Sequence, residues 1–144
     1  MSSTGYRSFD STVEKSNLIL KSIEEAYGWT KEERHQSYEA LRAVLHALRD
    51  RLPVQEAADL GAPLPMLIRG VYYEGWVPSR VPIKLHRDEI FARIQNDLSY
   101  EPPNGIEHLV TTVLQALGRH VSKGEWEDIA SNLPKDLVPV LTTS

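Results

Sequence analysis

Between Leu41 and Leu52 the apolar residues Leu41, Val44, Leu45, Leu48 and Leu52 recur at spacings of three and four. That period places them on one stripe of an α-helix. Glu39, Arg42, His46, Arg49 and Asp50 fall on the other side and read as a solvated face. Helix-start signals recur along the chain. Ser11 with Glu14, Thr30 with Glu33 and Ser122 with Glu125 each have the form of a capping box, and Asn104 with Glu107 is a looser version. In such a box the hydroxyl and the carboxylate satisfy opposed backbone donors at a helix start. With Gly28, Pro53 and Gly61 as stops, the pattern predicts eight helices, at about 12–27, 31–52, 54–61, 63–73, 87–99, 105–121, 123–132 and 134–141. Neither half alternates apolar and polar residues as a half-buried strand would, so the expected class is all-α.

The second half falls on the first at an offset of 69 residues: Val44, Leu45, Ala47 and Leu48 land on Val113, Leu114, Ala116 and Leu117. Glu56 and Asp59 meet Glu125 and Asp128, and Leu64-Pro65 meets Leu133-Pro134. Apolar character persists where identity is lost, in Leu41 with Val110, Leu52 with Val121, Leu60 with Ile129, Ile68 with Leu137 and Val71 with Val140. A repeat at fixed period marks a duplicated structural unit. The expected plan is a partly disordered tail over 1–10 and a single all-helical domain over 11–141. That domain comprises repeat one (about 11–73), a crossing segment (74–86) and repeat two (87–141).

The crossing holds two prolines and no helical period, which makes it loop or extended chain. Its Trp76, Val77, Val81, Ile83 and Leu85 are too apolar to stay in water, so it is expected to lie packed across the helices. Each four-helix unit alone is too small to hide its stripe. Two units facing each other about a pseudo-twofold axis would share one core, and side-by-side stacking is the rival arrangement.

Composition narrows the function classes. A chain of 144 residues with 41% apolar and 25% charged residues is an ordinary single domain. The net charge of −4 disfavours general nucleic-acid binding, which needs a basic face to displace phosphate counterions. Zero cysteines exclude a disulfide framework, a thiolate nucleophile and a cysteine-ligated zinc site, and fit a cytoplasmic setting. The first ten residues lack the features of a secretory signal, and no apolar run reaches the length of a membrane span.

The stretch LPMLIRGVYYEGW (Leu64 to Trp76) is followed by the proline-containing crossing. Together with ALRAVLHAL (Ala40 to Leu48) and LPKDL (Leu133 to Leu137), it resembles a bacterial family of uncharacterised proteins, domain of unknown function 2267. The resemblance runs from about Phe9 to Leu141, and RGVYYEGW is its most specific part. It implies an all-helical, internally duplicated protein and carries no catalytic residues with it.

Tyr72, Tyr73 and Trp76, flanked by Arg69 and Glu74, are the candidate ligand- or partner-binding residues. Such rings bury large areas while keeping a polar tip, which suits a binding hot spot, and the two flanking charges could supply the polar contacts of a pocket. The competing reading is that the rings plug the seam between units and anchor the crossing. The positions matching Tyr72 and Tyr73 in the second half are Leu141 and Thr142, so the aromatic group belongs to one copy.

No metal site is expected. None of the five histidines has another at i+3 or i+4, and His35 and His46 stand about 16 Å apart along their helix. Glu56 with Asp59 and Glu125 with Asp128 sit where negative charge favours a helix start. Nucleophile elbows, phosphate-cradling loops and dinucleotide fingerprints are missing from the sequence. The expected function is a non-enzymatic interaction module without cofactors, binding a protein partner, a second copy or a small apolar ligand, and neither nucleic acid nor membrane. The alternative is an enzyme of unrecognised type with its pocket near the aromatic crossing.

Overall fold

The computed structural model describes residues 4–133 and 135–137. Seven α-helices form among them: α1 (Arg7–Tyr27), α2 (Arg34–Arg51), α3 (Val54–Gly61), α4 (Met66–Tyr73), α5 (Arg87–Asn96), α6 (Ile106–Arg119) and α7 (Lys123–Asn132). Short 3-10 turns lie at Lys31–Glu33, Pro78–Arg80 and Lys135–Leu137. The protein is all-α, with no strand among the described residues.

Seven helices stand where eight were expected. The missing one is 134–141, of which the described part is the 3-10 turn Lys135–Leu137; Pro134 and 138–144, with Val140, Leu141 and Thr142, lie outside the described residues. The sequence carries Pro139 inside that stretch, and an interior proline removes a helix donor and crowds the preceding turn.

The first helix begins at Arg7, earlier than the Ser11 signal suggests. Its start is tied by the Asp10 carboxylate, which accepts from both the amide and the hydroxyl of Thr4 at 2.7 and 2.9 Å. Gly28 closes it in the left-handed conformation at φ 69°, where a residue without Cβ is unstrained. The boxes at Thr30–Glu33 and Ser122–Glu125 both form. The N-terminus of α4 is capped from another element: the Leu67 amide donates to the Thr12 hydroxyl of α1 at 3.0 Å.

Helix α2 is the axis of the molecule. It packs against α1, α3, α4, α5 and α6, while α1 also lies on α6 and α3 on α7. The expected stripe is fully buried, from Leu41 through Leu48 to Leu52. The face read as solvated is so only in its first part, where Glu39 and Arg42 stay partly exposed. His46, Arg49 and Asp50 are only 8%, 3% and 6% exposed, because neighbours enclose the C-terminal half of α2. Periodicity marks which side of a helix is greasier; it does not reveal that the polar side is covered too.

The crossing is pinned to the end of α2. The Ile83 amide donates to the Asp50 carbonyl at 2.8 Å, and Arg51 Nε donates to the Leu85 carbonyl at 2.8 Å.

Two glycines separate packing from propensity. A Cβ at Gly61 would lie 2.8 Å from the Tyr72 ring and 3.0 Å from the Tyr73 hydroxyl oxygen, whereas at Gly70 it would meet nothing within 4 Å. Gly61→Ala is expected to lower unfolding stability by about 1–3 kcal/mol through overpacking. Gly70→Ala, inside α4, is expected to raise it by about 0.5–1 kcal/mol. Urea denaturation of both variants checks the opposite signs.

Candidate functional site

The chemistry of the interior is concentrated where the end of α2 meets the end of α4. Arg49 Nε donates to Asp50 Oδ1 at 2.7 Å and its Nη2 to Oδ2 at 3.2 Å. Its Nη1 donates to the carbonyls of Tyr72 and Glu74 at 2.8 and 2.7 Å. One guanidinium thus binds a carboxylate with one edge and two unpaired helix-end carbonyls with the other. Arg93 of α5 reaches the same Asp50 through its Nη2. His46, one turn earlier on α2, hydrogen-bonds the Val71 carbonyl through Nε2 at 2.7 Å. As donor to that carbonyl the imidazole is neutral or charged, and burial lowers its pKa, with Arg49 and Arg42 adding to the effect against the raising influence of the Val71 bond.

The aromatic candidates sit directly above this hub. Tyr72 is fully buried, and its hydroxyl donates to the Ala57 carbonyl of α3 at 2.6 Å. Burial drives its phenol well above the ordinary range. Tyr73 meets Tyr72 edge-on, with centroids 5.0 Å apart, and Trp76 lies 5.3 Å from Tyr73. The three rings are therefore brought together, whereas the two flanking charges are not. Arg69 turns towards the α3–α4 connection and donates to the carbonyls of Gly61, Ala62 and Leu64. Glu74 is exposed and pairs with Arg42 Nε at 2.9 Å.

A groove opens at the other end of α4, beside its N-terminus. It has a volume of about 480 Å³, between the α1 face bearing Ser8, Ser11, Lys15 and Leu18 and the α3–α4 turn bearing Pro63 and Met66. Arg69, His120 and Glu125 also line it. A second, shallower trough shares Ala62, Pro63 and Glu125 with it and continues past Asp59, Asp128 and Ser131. Asp59, Glu125 and Asp128 contribute to this trough, since α3 packs on α7, while Glu56 does not line it. Among the described residues no histidine and carboxylate grouping could hold a metal ion.

The model of an uncharacterised conserved protein family, DUF2267, matches residues 16–140, which takes in α2 through α7 and most of α1. The chain belongs to the DUF2267 family. No curated protein matches it. No helix of the described residues is long and apolar enough to cross a membrane.

In this DUF2267 chain the residues that sequence reasoning missed are Arg49, Asp50 and Arg93. Arg49 and Asp50 were assigned to water, and Arg93 was not singled out. One signal was available: at the offset of 69, Arg49 and Asp50 correspond to Gly118 and Arg119, so the pair has no copy in the second half. A charged pair found only in the part of the sequence that also carries the aromatic group points to the junction they serve.

Two outcomes follow from this geometry. Asp50→Ala leaves Arg49 buried without its carboxylate and is expected to cost about 3–5 kcal/mol in urea unfolding. The depressed His46 pKa means that the unfolded chain, with an ordinary value of about 6.5, takes up a proton before the folded chain does. Stability should therefore be complete above that value and fall as pH drops from 7 to 5. His46→Gln, which keeps a donor for the Val71 carbonyl, should flatten this dependence; an unchanged pH profile would assign the slope to other groups.

Proposed function

We propose that this chain is a non-enzymatic helical interaction module that receives an amphipathic segment of another protein in the α1–α4 groove. The observation that carries this reading is the apolar border of the groove. Leu18 and Met66, which line it, are 50% and 55% exposed on two helices that pack side by side. Lys15, Arg69 and Glu125 supply charges of both signs along its length. Helix-in-groove recognition uses apolar anchors at spacings of three and four with a polar rim. A small ligand is the poorer fit, because ligand pockets enclose most of their occupant, whereas this groove runs on into an open trough.

Of the five residues singled out from the sequence, Arg69 is the one this reading places beside the partner. Tyr72, Tyr73 and Trp76 act as the anchor that holds the crossing on α2, and Glu74 closes that junction from outside with Arg42. An enzymatic role has less support, since Arg69 and Glu74 face different neighbours and Tyr72 is sealed from solvent. A bacterial, cytoplasmic setting belongs to the same proposal.

We also read the fold as two copies of one unit about a pseudo-twofold axis. Under that operation α1 on α6 becomes α5 on α2, while the α2–α6 and α3–α7 contacts map onto themselves, and all four pairings occur. The first helices correspond at an offset of 71 rather than 69, which pairs fully buried Ile19 with Ile90 and Ile23 with Ile94. Superposing 37–61 on 106–130 should give a rotation of about 180°; a pure translation would favour stacking instead.

The interaction reading is tested with a photo-crosslinking residue at position 18 or 66 and, as control, at exposed Val54. One discrete adduct specific to the groove positions is expected. A synthetic peptide of the adduct's segment should bind the purified chain and lose at least tenfold in affinity with Leu18→Glu. Equal labelling from position 54, an adduct that is a second copy of the chain, or peptide binding indifferent to Leu18→Glu would overturn it.

A further inference from the structure

Beneath the crossing lies a small cavity of about 160 Å³, lined by Asp50, Gly75, Val77, Arg80, Ile83 and Arg93 among others. Its charges do not balance. Arg49 and Arg93 both bind Asp50, whose single carboxylate matches one of them, and Arg80 adds a third guanidinium. Two positive charges are left over around the cavity, and Asp50 is the sole carboxylate among its described lining residues.

The two outer arginines also have donors to spare. Arg49 is committed on every side, to Asp50 and to the Tyr72 and Glu74 carbonyls. Arg93 spends only Nη2 on Asp50, and its side chain is 33% exposed. The Arg80 side chain makes no hydrogen bond or ion pair with any described residue, although its amide is held by the Val77 carbonyl. Glu74, the nearest acid in sequence to the cavity wall, is occupied by Arg42.

From this we infer that the cavity beneath the crossing is a phosphate site, in which the Arg80 and Arg93 guanidiniums grip one dianionic phosphoryl group. A guanidinium fork matches phosphate oxygens two at a time. At neutral pH a phosphomonoester carries nearly two negative charges, which equals the excess here, whereas a carboxylate would cancel half of it. The volume suits a phosphoryl group with a few waters and is too small for a nucleotide or a drug-sized ligand, which fill roughly 300 Å³ or more. Partial burial of Arg93 keeps its charge from being fully screened by salt. Arg80 belongs to the crossing, Arg93 to α5, and Asp50, bridged by Arg93, to α2. A bound phosphate would therefore clamp three elements at once and stabilise the folded chain by linkage.

The test is thermal unfolding of the full chain at pH 7.5 and constant ionic strength, titrating sodium phosphate against sodium chloride. A saturating rise in Tm with phosphate, absent with chloride, is expected. Phosphate also stabilises proteins non-specifically, without saturation, so the deciding comparison is with a variant. Arg80→Gln removes an exposed, unpaired side chain, so its Tm in chloride should match the parent. Its midpoint for phosphate should move up at least tenfold. Phenyl phosphate distinguishes the source: binding as tight as inorganic phosphate assigns the site to a phosphoryl group carried on a larger molecule, weaker binding to the free ion. A phosphate response that does not saturate, or one undiminished in Arg80→Gln, would overturn the inference. Arg93→Lys, which keeps the charge on Asp50 but loses the fork, provides a second variant, and undiminished phosphate binding there would overturn it equally.

Discussion

The C-terminal half of α2 is enclosed by its neighbours and leaves no face for water, so any charge it carries there must be answered from within. Helix α2 carries two in succession, Arg49 and Asp50, both almost fully buried. Leaving either alone would cost several kcal/mol, and the way each is answered shapes the surrounding architecture. Arg49 takes up the carbonyls that α4 leaves unpaired at its end, which fixes the α4 terminus over α2. Asp50 draws in Arg93 and so positions α5. Its own carbonyl receives the Ile83 amide, which lays the crossing along the same spot. Four segments of chain meet at two adjacent residues.

The aromatic group fits this constraint. A buried tyrosine needs a partner for its hydroxyl, and Tyr72 finds one in the Ala57 carbonyl, tying α4 to α3. Tyr73 and Trp76 then extend the contact outwards to the start of the crossing. Rings that sequence alone offered as a binding surface are packed edge-on and tilted against one another. Exposed Leu18 and Met66 lie elsewhere, in the groove between α1 and α4. Membership of the DUF2267 family adds no chemistry to this picture, so the functional reading rests on the surface itself.

Much of the fold was readable in advance because its signals are local. The α2 and α6 stripes, the boxes at Thr30 and Ser122 and the stop at Gly28 each depend on residues within a turn or two of one another. What escaped depends on distance along the chain. Thr12 caps a helix that starts more than fifty residues later, and Ser11, beside it, offers the more obvious cap but starts nothing. The hub escaped for the same reason: Asp50 and Arg93 are 43 positions apart, and no period connects them. A polar residue on a helix reads as wet unless the number of neighbouring helices is known.

Gly118 stands where Arg49 would fall if the halves were aligned, and it allows the Trp126 ring to approach within 3.1–3.3 Å of where a side chain would begin. One half places a guanidinium there to gather loose chain ends; the other leaves the place empty so that an indole can close over it. The two positions thus do opposite jobs, one filling its space with a side chain and the other yielding it to a ring. An arginine at position 118 would be driven into that indole, whereas the residue 69 positions before Trp126 is Ala57, too small to close over anything.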